Sequence, residues 1–149
     1  MKKGVFPALL AALIALLVIA GCGGGDDSSS LTKAEFTKQV NAGCKEHKKE
    51  REKLFKEVSA TIDPSEVTRK DQETLISDVL LPPYEKDIEN IQSLGAPEGD
   101  EQQVEDIVKA MEKSVEDVEA KPLIALRNTT QFAEASELQK KYGLDDCAF

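Results

Sequence analysis

The chain has no tryptophan, one histidine (His47) and two methionines, and aromatic residues make up 5% of its 149 positions. A single histidine cannot furnish the paired Glu-x-x-His motifs of a di-iron bundle. Any Ser-His-Asp or Cys-His arrangement would have to be built around that one ring. Glycine-rich phosphate cradles and G-x-S-x-G elbows are missing as well, so neither phosphoryl transfer nor hydrolase chemistry has a motif to stand on. No segment alternates apolar and polar residues between hairpin turns, and strands are not expected. Positive charge is scarce: 19 Lys and Arg stand against 28 Asp and Glu, a formal net charge of −9. Nucleic-acid binding needs clustered cations to replace phosphate counterions, and this balance argues against such a partner.

What is present begins with Lys2 and Lys3, the apolar run from Val5 to Ala20, the small residues Ala20 and Gly21, and then Cys22. That order is the pattern of an export signal. The run falls short of the roughly 18 to 20 residues of a comfortable membrane span, so removal is expected over retention as a helix. After Cys22 come Gly23, Gly24 and Gly25, then Asp26 to Ser30, which offer nothing to pack against. Such a stretch reads as a tether with a root-mean-square reach of about 15 Å, and Cys22 reads as a point of attachment.

The residues Ile19, Ala20, Gly21 and Cys22 resemble the lipobox of bacterial lipoproteins. The resemblance implies diacylglycerol transfer to the Cys22 sulfur, cleavage just before it, and a lipid-anchored protein facing the extracytoplasmic side of a cell membrane. Several acyl chains on one cysteine would suffice for stable anchoring. It covers the first 22 residues and names no family for the remainder. On this reading residues 1–21 are a cleaved signal peptide, residues 22–30 the lipidated cysteine and its tether, and residues 31–149 a single helical domain. Loss of Lys2 and Lys3 leaves 17 cations against 28 anions, a net charge of −11. That sign disfavours adhesion of the domain itself to anionic lipid.

With Cys22 given to lipid by that resemblance, Cys44 and Cys147 remain as a pair in a compartment that permits disulfides, and a bridge between them is expected. The alternative is two free or metal-bound thiols. A zinc site from Cys44, His47, Cys147 and a carboxylate would require both cysteines to stay reduced outside the cytoplasm.

The remainder reads as helices. Thr32 and Glu35 form a capping box, flanked by Leu31 and Phe36 in the positions of a hydrophobic staple. From there Phe36, Val40, Cys44, His47, Leu54, Phe55 and Val58 recur at helical spacing to about Ala60, with no large apolar residue between Lys48 and Lys53. A second helix starts at Asp63 or near Thr68, carries Leu75, Ile76, Val79 and Leu80, meets Pro82 and Pro83, and resumes with Tyr84, Ile88, Ile91 and Leu94. That is a kinked helix or two helices end to end. Gly95 and Pro97 stop it. Asp100 with Gln103 caps the next helix, whose stripe is Val104, Ile107, Val108, Met111, Val115 and Val118. Lys121 and Pro122 end or bend it, and Leu123 to Leu126 form a short buried helical turn or an extended link. Thr129 or Thr130 caps a last helix through Phe132, Ala135, Leu138 and Tyr142, stopped by Gly143 with Leu144 behind it. The expected fold is all-α, an up-and-down bundle of four or five helices with a proline-kinked middle helix and a disulfide from the first helix to the C-terminal tail.

Catalytic residues are not predicted. His47 reads as a helix histidine at the margin of the core. Haem between His47 and Met111 lacks a C-x-x-C-H motif, and Met111 completes a core stripe. Glu101, Glu105, Glu112, Glu116 and Glu119 fall on wet helix faces, and Asp145 and Asp146 lack the spaced oxygens of a calcium loop. The Asn128-Thr129-Thr130 sequon reads as a turn and cap. No cofactor and no metal is expected. The leading expectation is a non-catalytic, membrane-tethered binding module for a protein or cell-envelope partner. The alternative is a small-ligand carrier with a cavity near Tyr84, Met111, Phe132 and Tyr142.

Overall fold

The computed structural model describes residues 31–149. The signal peptide, Cys22 and the tether lie outside the described residues. Helix α1, Lys33–Ser59, starts where the sequence places it: the Glu35 backbone N–H donates to Thr32 Oγ1 at 3.3 Å, and Glu35 Oε2 accepts the Thr32 N–H at 3.0 Å. A polar turn follows, in which Asp63 accepts from the Ser65 N–H and hydroxyl. Of the two predicted starts for the second helix, Thr68 is the one used, boxed with Asp71 ahead of α2, Arg69–Thr74. The backbone then widens into a π-helical segment, Leu75–Leu80, before α3, Leu81–Leu94. Pro82 and Pro83 supply the reason. Each lacks an N–H, and in α geometry its ring would press on the carbonyl four residues back. Widening the turn upstream shifts the register, and the Leu81 N–H donates to Ile76. The proline pair therefore yields a π-helical entry to α3 in one continuous run.

Helix α4, Glu101–Ala120, presents the expected stripe: Val104, Ile107, Val108, Met111 and Val118 are buried, with Val115 half-buried. Its predicted cap is not formed. Asp100 makes no side-chain bond to the helix backbone. Its carboxylate accepts instead from the Tyr142 hydroxyl (2.8 Å), from Gln103 Nε2 (3.1 Å) and from Lys33 Nζ (3.3 Å). It thus ties the starts of α1 and α4 to the end of the last helix, because three donors outbid one backbone N–H. The segment after α4 is the short helix α5, Pro122–Ala125, and it is less buried than expected, with Ile124 38% and Leu126 43% exposed. Neither Thr129 nor Thr130 caps the last helix through its side chain; Asn128 Oδ1 accepts the Thr130 N–H at 3.1 Å and opens a 3-10 turn, Thr130–Phe132. Helix α6, Ala133–Tyr142, then ends at Gly143 (φ 101°), with the Leu144 N–H reaching back to Gln139 at 2.8 Å. Leu144 is buried, as its position in a Schellman cap requires.

Helix α1 packs on α3, α3 on α4, and α4 on α6. The bundle is closed by the tail after α6, which returns to α1. Asn41 donates to the Gly143 carbonyl (2.8 Å) and accepts the Asp146 N–H (3.1 Å), and Lys45 pairs with Asp146 (3.1 Å). The Cys44–Cys147 disulfide locks this seam, with Cα atoms 5.1 Å apart. At Gly43, where α1 approaches α3, an added Cβ would meet the Asn90 side-chain amide and force it to shift. The described residues form an all-α bundle, and no strand occurs among them.

Candidate functional site

Only the first half of α1 is covered by the bundle. Phe36, Val40 and Cys44 are buried, whereas Leu54 and Val58 are half-buried and Phe55 is 53% exposed. The apolar periodicity therefore continues to where the π segment meets α1 and covers it only in part. Phe55 forms one wall of an open groove of about 380 Å³. Leu75, Val79 and Leu80 of the π segment form the other, Leu126 lies at its edge, and Arg51, Glu52 and Lys56 from α1 complete it. None of these eight residues is a histidine, a cysteine or a neutral hydrogen-bonding side chain. The groove can remove hydrocarbon from water at Phe55, Leu75, Val79, Leu80 and Leu126, and it offers charge of both signs at Arg51, Glu52 and Lys56.

The single histidine sits one turn away. His47 Nδ1 lies 2.7 Å from Asp87 Oδ1, and Asp87 is buried on α3. Burial raises the Asp87 carboxyl above its ordinary value, opposed by His47 and by the Arg51 charge. The Arg51 guanidinium lies 4.7 Å from the Phe149 ring centre, and its own pKa is lowered by burial. Phe149 stacks on Phe132 at 4.2 Å. This is a histidine satisfied by a carboxylate at the core margin. Cys44, one turn earlier on α1, has its sulfur in the bridge to Cys147.

The other sequence candidates are scattered. Met111 is fully buried, and its sulfur accepts from Gln139 Nε2 at 3.1 Å. Glu105 pairs with Lys109 on the surface of α4, and Glu112 accepts from Gln92 at 3.1 Å. Tyr84 and Phe132 meet edge-on at 5.2 Å, and Phe36 and Tyr142 at 6.0 Å, so the residues expected to line a carrier cavity are packed into the core. Among the described residues no group of three His, Cys, Asp or Glu is placed to hold a metal ion, and no helix is long and apolar enough to cross a membrane. Sequence reading missed Asp87, although it lies on the buried stripe of Tyr84, Ile88 and Ile91, where a carboxylate is out of place. It also missed the groove, for which an unpartnered Phe55 was the available sign. No protein-family model matches the chain, and neither does any curated protein or solved structure.

Proposed function

We propose that the chain is a lipid-anchored, extracytoplasmic lipoprotein whose helical domain is a non-catalytic binding module and whose binding surface is the groove at Phe55. The observation that carries the reading is an open, largely apolar groove whose lining holds no histidine, cysteine or hydroxyl group. The anchor rests on the lipobox resemblance at Ile19 to Cys22, and the Cys44–Cys147 bridge supports an oxidising compartment. Phe55 lies 22 helical steps from Lys33, about 33 Å along α1, so the groove lies toward the far end of the helix from the residue that follows the tether. The carrier reading gains one supporting observation, a groove volume at the small end of the range typical of ligand sites.

Intact mass of the mature protein from its native membrane tests this, together with membrane retention of a Cys22→Ser variant. A chain lacking residues 1–21 and carrying diacylglycerol is expected, with the variant released. A chain that keeps residues 1–21 without lipid, or a variant that stays as firmly in the membrane fraction, overturns the assignment.

A further inference from the structure

We infer that the groove is a site for a long-chain fatty acid, with its hydrocarbon chain against Phe55, Val79 and Leu80 and its carboxylate at Lys56. The inference rests on the groove being the binding surface and is independent of the lipid anchor. Size narrows the occupant first. The α1 wall from Arg51 to Lys56 is about 8 Å long, and the volume is about 380 Å³. A docked partner helix uses anchors at i, i+3, i+4 and i+7, about 10 Å of its own length, and a stable protein interface covers about 800 Å² on each side. A groove this short fits one flexible chain better than a folded partner.

Polarity narrows it further. Five of the eight lining residues are apolar, and a sugar, peptide or nucleotide pressed against Phe55, Leu75, Val79, Leu80 and Leu126 would give up bonds to water without replacement. Unfunctionalised hydrocarbon has nothing to lose there. The head group follows from charge. In a chain of net charge −9, the stretch Lys45 to Lys56 holds six cations (Lys45, Lys48, Lys49, Arg51, Lys53 and Lys56) against three acids (Glu46, Glu50 and Glu52). Lys45 is paired with Asp146, Lys53 with Glu57, and Arg51 lies in the field of Asp87. Lys56 lines the groove and makes no ion pair among the described residues. Glu52, also in the lining, would repel a doubly charged phosphate more strongly than a single carboxylate, which selects the acid. The π segment is an independent sign. It contributes Leu75, Val79 and Leu80 to the wall, and such segments are frequent at functional sites.

The test uses the full-length chain in phosphatidylcholine vesicles, labelled with a photoactivatable palmitate analogue and mapped by mass spectrometry. Label is expected on the peptides bearing Phe55 and Leu75–Leu80. Excess palmitate should displace it, and hexadecanol should compete at least fivefold less well. Phe55→Asp, at an exposed position, should retain the thermal midpoint and lose labelling at least tenfold. Lys56→Ala should weaken competition by palmitate and leave that by hexadecanol unchanged. Label spread over the surface, undiminished labelling of Phe55→Asp, or equal competition by acid and alcohol overturns the inference. Exclusive cross-linking of residue 55 to another protein would do so too, while leaving the binding-module reading intact.

Discussion

Breaking the Cys44–Cys147 bridge should cost more than any single side chain in the bundle. The two cysteines are 103 residues apart, so the loop they close takes in most of the described chain. In the chain-entropy account a loop of about 100 residues restricts the unfolded state by about 4.7 kcal/mol. Domains of this size have total stabilities of about 5 to 15 kcal/mol, and the bridge therefore supplies from about three tenths of that to nearly all of it. The folded state should change little, because the tail keeps its other contacts: Asn41 with Gly143 and Asp146, the Phe149–Phe132 stack, and the Phe149 N–H on Ser136 Oγ. Equilibrium urea unfolding with and without a phosphine reductant, followed by circular dichroism, reads the difference. With a slope of about 2 kcal/mol per molar urea, the reduced midpoint should fall by about 2 M. A fall of less than about 0.5 M at unchanged slope would mean that the bridge does not restrict the unfolded chain as this account requires.

Gln139 is fully buried, its Oε1 has no hydrogen-bond partner and its Nε2 has only the Met111 sulfur, so Gln139→Met should raise stability by about 1 kcal/mol. A lower urea midpoint would show that its amide has a partner after all. Gly143→Ala should lower stability by about 1 kcal/mol: φ is 101°, and since an added Cβ meets nothing closer than Thr37 at 3.9 Å, the loss comes from the backbone. A melting temperature within a degree or so of the parent would contradict this. Burial raises Asp87 above its ordinary 3.8, so just above that pH the folded chain holds a proton that the unfolded chain has released. This group's contribution therefore falls as pH rises through the window and recovers as pH drops. Measured against Asp87→Asn, the parent should gain ground from neutral pH toward about pH 4. Carboxylates of the opposite sense, such as Asp100 held low by the Tyr142 hydroxyl and Lys33, cancel in that comparison. A parent that loses ground would mean that His47 and Arg51 outweigh burial.

Features of the fold that depend on three to six neighbouring residues were legible in the amino-acid sequence alone. The Thr32–Glu35 box, the stripe of α4 and the Gly143–Leu144 stop are of this kind, because their physics is local. The Cys44–Cys147 pairing followed from counting sulfurs once Cys22 was set aside. Long-range facts were not legible. Periodicity places Phe55 on the same stripe as Phe36, yet says nothing about whether a neighbouring helix extends that far along α1. Asp100 has the spacing of a cap, and only the arrival of Tyr142 and Lys33 from distant parts of the chain shows why its carboxylate turns elsewhere. The proline pair announced an interruption, but a break, a kink and a widened turn all satisfy two missing N–H groups, so spacing alone did not select the π segment that forms the second wall of the groove.

The covalent ring between positions 44 and 147 also has a temporal meaning. Synthesis runs from the amino terminus, so any nascent or truncated chain that stops short of residue 147 keeps Cys44 as an unpaired thiol. Under oxidising conditions, closure of this ring therefore waits until residue 147 has been made.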